Sequence, residues 1–177
     1  MTSSSGKRRT AREMAVQMLY QQDVGGTDLP QVFHAFDLAP YLSRPKAGHG
    51  EGGNDAGERG AYARRRGKVE AAFHYAQRLV EGTVGHREEI DSVIRRQADN
   101  WRLERMPIVD RNILRLAVYE MTYEGEIPKL VVVDEAIELA KKFGSENSGR
   151  FINGLLDGLM KRGDKVEEAP SEVGEPA

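Results

Sequence analysis

The chain has 177 residues, enough for one domain or two closely packed helical halves, and at this length about 70% of the unfolded surface can be buried without a covalent staple. There is no cysteine, which excludes disulfides and thiolate metal sites, and no apolar run approaches the ~20 residues of a membrane span. The net charge of -2 hides an asymmetry: residues 1–12 carry Lys7, Arg8, Arg9 and Arg12 with no acid, whereas residues 164–177 set Asp164, Glu167, Glu168, Glu172 and Glu175 against Lys165.

Taken in order, residues 1–10 read as a basic flexible arm. The opening MTSSSGKRRTARE lacks the apolar centre of a signal peptide, so the expectation is a cytoplasmic protein. Ala11, Met14, Ala15, Met18, Leu19 and Gln22 then trace one face of a first helix, stopped near Gly25-Gly26. A second helix is expected from Leu29 to Leu42, capped by Thr27 or Asp28, with Val32, Phe33, Phe36 and Leu42 inward. Residues 44–67 hold six glycines between Ala47 and Gly60 and no apolar period, which reads as an inserted flexible loop. Its end, Arg64-Arg65-Arg66, offers either phosphate contacts or ordinary solubilising charge. Val69, Ala72, Phe73, Ala76, Leu79 and Val80 make a third helix, ended or kinked by Gly82 and Gly85, and Ile90, Val93, Ile94 and Trp101 a fourth.

Three further helical patterns follow in DRNILRLAVYEMTYEGEIPKLVVVDEAIELAKKFGSENSGRFINGLLDGL, from Asp110 to Leu159. Ile113, Leu116, Ala117 and Glu120 share one face, Val133, Ala136, Ile137, Ala140 and Phe143 the next, and Ile152, Leu155, Leu156, Leu159 and Met160 the last. Pro128 suits a helix start, Gly144 suits a left-handed helix end, and Ser145 can cap the helix that follows. Asp134 and Glu138 lie opposite the apolar stripe, so a solvated face with Glu138 near Lys141 or Lys142 outweighs a catalytic carboxylate pair. Low hydrophobicity, Pro170, Pro176 and like charges make 164–177 an acidic disordered tail. The fold class is all-α, a compact antiparallel bundle of about seven helices in two small sub-bundles over residues 11–163.

Two blocks, TAREMAVQMLYQQD at Thr10–Asp23 and the Asp110–Leu159 run, resemble the NusB family of bacterial transcription antitermination factors in residue type, order and spacing. With the helices between them the resemblance covers roughly residues 7–162; the inserted loop departs from the shorter join usual in the family. The resemblance implies an RNA-binding protein that pairs with the ribosomal protein NusE, recognises the single-stranded boxA element of nascent ribosomal transcripts, and helps the RNA polymerase antitermination complex resist termination. It implies RNA contacts by the arm, Lys7, Arg8, Arg9 and Arg12, with Tyr20 near the RNA surface. It carries a second RNA surface onto the junction KKFGSENSGRF: Lys141, Asn147, Ser148, Arg150 and Phe151. An acid can occupy the position of Asn147 in the family, and a neutral amide there removes a repulsion from phosphate. Phe151 fits a core position equally well.

The partner surface is carried over as Trp101, Glu104, Asp110, Arg111 and Glu120, with Asp110 where the family has an acid facing NusE; an ordinary charged helix face is the alternative. Some relatives self-associate over the arm, so a homodimer, or a protein–protein scaffold with incidental basic residues, stays open beside RNA binding. An enzyme is not expected. His34, His49, His74 and His86 are scattered with no zinc spacing, and neither a phosphate loop nor a nucleophile elbow is present. NusB-like domains also precede RNA cytosine methyltransferases, but those need a cysteine and a large α/β domain that this chain lacks. No cofactor is expected.

Overall fold

The computed structural model describes residues 3–43, 55–98 and 102–162, and all regular structure among them is helical. Trp101, residues 44–54 of the expected loop and the acidic tail lie outside the described residues. The chain divides into two compact units at Gly82/Thr83. No described helix is long and apolar enough to cross a membrane.

In the first unit, α1 (Ser3–Gly25) is organised by Ala11, Met14, Ala15, Met18 and Leu19, all fully buried at i, i+3, i+4, i+7 and i+8. Burying each of the larger side chains contributes roughly 1.5–3 kcal/mol, which anchors the helix on this face. The segment expected as a flexible arm is therefore helical from Ser3: lysine and arginine are good helix formers, and extending an anchored helix avoids the cost of nucleation. The helix stops at Gly26, whose φ of 59° is the left-handed conformation expected of a terminating glycine.

Asp28 caps α2 (Leu29–Ala35), its carboxylate accepting the Gln31 N–H at 3.3 Å. The single helix expected to Leu42 is broken here, with α3 (Ala39–Leu42) following separately. Pro40 cannot donate to the carbonyl of Phe36, whose backbone is extended, and the Asp37 carboxylate takes the Ala39 N–H at 2.8 Å. The break turns Phe36 onto Phe73, ring centroids 5.7 Å apart, and buries Tyr41, whose hydroxyl accepts from Gln17.

α4 (Asp55–Gly85) corrects the loop expected through Gly67. Its second half is anchored by Val69, Ala72, Ala76, Leu79 and Val80, all buried. The first half grows from that anchor and is tied by Arg66 to Glu70 (2.8 Å, i,i+4) and by Arg65, which donates to the Leu42 carbonyl at 3.0 Å. Gly82 lies within the helix, and Gly85 ends it.

The second unit is built around α6 (Ile108–Tyr123), which packs against α5 (Arg87–Gln97), α7 (Lys129–Phe143) and α8 (Ser148–Arg162). A 3-10 turn, Leu103–Arg105, leads into it. Every residue from Asn112 to Val118 is buried, so α6 has no solvent face over two turns. The buried polar residue Arg115 forks onto Asp91 of α5, with Nε to Oδ1 at 2.7 Å and Nη2 to Oδ2 at 2.9 Å. Ile152, Leu155, Leu156 and Leu159 bury the apolar stripe of α8, and Val133, Ala136 and Ala140 that of α7. Asp134 and Glu138 are exposed, with Glu138 bonded to Lys141 at 2.8 Å.

Gly144 ends α7 for a different reason from the one expected. Its φ is -90°, not left-handed. A Cβ there would stand 2.5 Å from the Ser148 hydroxyl oxygen and 2.7 Å from the Ala140 carbonyl oxygen. Glycine is required by close approach.

Candidate nucleic-acid interface

The residues expected to meet RNA fall into two groups, one in each unit. On α1, Lys7 and Arg9 are exposed and Arg8 is half-buried, all within the first turns of the helix. No acid offsets them in the first turn, so the positive end of the helix dipole and the cations favour an anion together. Arg12 departs from the expected set. It is only 3% exposed, lies in an unbroken buried run from Ala11 to Val16, and is already engaged within the fold. Tyr20, at 42% exposure, keeps an aromatic ring on the surface of the same helix.

The second group surrounds the α7–α8 join. Asn147 and Arg150 are exposed, Phe151 is half-buried, and the Asn147 carbonyl accepts the Phe151 N–H at 3.1 Å as α8 begins. Lys141 is exposed and paired with Glu138, while Lys142 lies 5.3 Å from the centre of the Phe143 ring. Lys141 and Arg150 line a depression of about 530 Å³ together with Ser145, Glu146 and Asn153. Ser148 is the exception, being almost wholly buried. Its hydroxyl accepts the Ser145 N–H at 2.8 Å and lies 3.0 Å from the Ser145 hydroxyl, so it closes the join from within and is unavailable to a ligand. The cap expected of Ser145 is thus made in reverse, because the tight turn at Gly144 brings the later serine back.

The expected partner surface is thinner than the sequence suggests. Glu104 is exposed and bonded to Arg95 at 3.2 Å; a hydrogen bond at its own backbone and the Arg95 guanidinium hold its carboxyl below the ordinary range. Arg111 is half-buried, with its guanidinium 3.5 Å from the Leu103 carbonyl. Asp110 and Glu120, at 3% and 2% exposure, are corrections: both side chains are buried at the ends of the enclosed Asn112–Val118 stretch of α6, and Glu120 lies on the inward stripe with Ile113, Leu116 and Ala117. Neither carboxylate presents a surface to a partner.

Three features escaped the sequence reading. The Asp91–Arg115 fork joins residues 24 apart, and no local pattern announces it. Tyr119 stacks on Tyr123, and the His86 ring lies tilted against both with its centre 4.0 Å from that of Tyr123; the i,i+4 tyrosine spacing was the available signal. Leu130 and Val131, at 68% and 44% exposure, leave apolar surface at the start of α7. No cluster with metal-binding composition occurs among the described residues.

The fold and these two surfaces define a small all-helical protein with cationic and amide-rich patches at helix ends. The sequence profile of the NusB family matches residues 9–161, and the chain belongs to that family. Similar proteins include the transcription antitermination protein NusB of Myxococcus xanthus, 40% identical over 86% of this chain and 93% of that protein. The protein of the same name from Desulforamulus reducens is 45% identical over 92% of this chain and 94% of its own. Among solved structures, T. maritima NusB superposes with a TM-score of 0.63 at 33% identity, covering 88% of this chain and 90% of that one. A crystal structure of the antitermination factors NusB and NusE in complex with double-stranded RNA matches with a TM-score of 0.63 at 25% identity, covering 92% of this chain and 99% of that one.

Proposed function

We propose that this chain is an RNA-binding transcription antitermination factor that joins a NusE partner to read boxA-type RNA in nascent transcripts, in the cytoplasm, as part of an antiterminating RNA polymerase complex. The observation that carries the reading is the exposed cationic start of α1, Lys7 and Arg9 with Tyr20 beyond them, in a chain of the NusB family. Cations position a phosphate backbone, and an exposed ring accepts an unstacked base. In the second unit, Arg150 and exposed Asn147 supply a charge and an amide suited to the same ligand. Glu104 and Arg111 are the partner-facing residues that keep some exposure.

The test is a titration of boxA-type single-stranded RNA, a scrambled strand and a duplex, with and without NusE, at two salt concentrations. Binding should favour the boxA-type strand, tighten when NusE is added, and weaken with salt. The exposed pair Leu130 and Val131 favours a second reading, a protein–protein scaffold or self-associating bundle. Absence of RNA binding with and without NusE, together with concentration-dependent self-association, would select that reading instead.

A further inference from the structure

Three consecutive arginines near the middle of the chain have three different surroundings, because each helical step turns the side chain by about 100°. Arg66 pairs with Glu70, and Arg65 reaches the Leu42 carbonyl. Arg64 is exposed and makes no ion pair with a described residue, and Lys68, one turn along the same face of α4, is likewise exposed and unpaired. Both line a groove of about 610 Å³ between α1 and α4, with Lys7 on the opposite wall. Among the described residues no acidic side chain lines it. Arg65 also lines it, with its guanidinium donating to the Leu42 carbonyl; Gly6 and Gly67 border it with open space where a side chain would begin, and the rest of the lining is small or apolar, including Thr10, Ala71 and Ala72. The result is a trough with cations on both walls, of a size that takes nucleotide-scale ligands, roughly 300–1,000 Å³.

We infer that this α1–α4 groove is a further binding site for the RNA backbone, in which Arg64 and Lys68 hold phosphates of the strand that Lys7 meets from α1. The inference rests on the RNA-binding reading above and adds to it a second wall supplied by the first half of α4. Charge complementarity selects the occupant: Lys7, Arg64 and Lys68, with Arg65 held to the Leu42 carbonyl beside them, suit a run of phosphodiesters, and the small residues between them let a sugar–phosphate chain approach the helix closely. The arrangement also gives the long first half of α4 a role. Without residues 55–68 the groove would lose one wall.

The experiment uses the full chain with NusE and a single-stranded boxA-type RNA of about 16 nucleotides, long enough to pass beyond one contact surface. Arg64→Ala with Lys68→Ala should make the slope of log affinity against log salt shallower by about 1.4, at ~0.7 per phosphate contact, and weaken binding by about 25-fold near 0.1 M salt. Gly67→Glu, which places a carboxylate in open space within the groove, should weaken binding as well, whereas Arg66→Ala should leave the slope unchanged. Circular dichroism confirms that each variant keeps its helices. Wild-type binding with slopes unaltered in the double variant and in Gly67→Glu would overturn the groove while leaving the RNA-binding reading intact. Failure of the wild-type complex to bind RNA would overturn both.

Discussion

Replacing Lys7, Arg8 and Arg9 together by alanine is expected to weaken RNA binding by about two orders of magnitude near 0.1 M salt, from three phosphate contacts at ~0.7 logarithmic units each. The same loss makes the salt slope shallower by about two units. Lys7 and Arg9 are exposed and Arg8 is half-buried, and alanine is the better helix former, so thermal stability should stay within about 0.5 kcal/mol of the parent. Arg12 is deliberately left in place. It is buried and engaged within the fold, and its removal would confound lost affinity with lost stability. Equal slopes for variant and parent would remove the start of α1 from the interface.

Asp91→Ala is expected to have the largest effect on stability. It strips the buried Arg115 guanidinium of both Asp91 carboxylate contacts, 2.7 and 2.9 Å long, and removes the carboxylate that faces this cation from α5. Breaking a buried pair from one side costs about 3–5 kcal/mol, against a total stability of roughly 5–15 kcal/mol for a domain. A fall in Tm of about 6–20 °C follows for a chain of this length. Asp91→Leu combined with Arg115→Met should recover much of the loss, since an apolar pair of similar volume needs no counter-charge. A single-variant loss below about 1 kcal/mol would contradict a desolvated pair at this position.

The apolar periodicities carried most of the fold. The stripes at Ala11–Leu19, Val69–Val80 and Ile152–Leu159 are buried as spaced, and local chemistry at Gly26 and Asp28 does what their residue types suggest. The misreadings have physical causes. Residues 55–67 have no apolar period and several glycines, yet they are helical because an anchored helix extends cheaply and Arg65 and Arg66 find partners. Gly144 announces a helix end, but only the folded join shows that Ser148 occupies the space of its missing side chain.

In the candidate interface the errors run in one direction. Arg12, Asp110, Glu120 and Ser148 are contact residues by the family resemblance, and all four are buried here, which charged and polar side chains seldom are. Burial of a charged group depends on partners from distant elements, as Asp91 shows for Arg115, and such partners leave no trace in local spacing. The groove cations were legible as charge, but not as a wall. Only the helical phase of Arg64 and Lys68 separates them from Arg66, and that phase requires the helix the composition concealed.

The central claim is that this chain acts on transcription through RNA, with NusE as its partner. The most direct measurement is readthrough by purified bacterial RNA polymerase on a template carrying a boxA-type leader ahead of a terminator, with this protein, NusE, both or neither. The account predicts that both proteins together raise readthrough, that either alone does less, and that the gain disappears when the leader sequence is scrambled. Readthrough unchanged by the two proteins together, in a reaction where they bind the leader RNA, would contradict it.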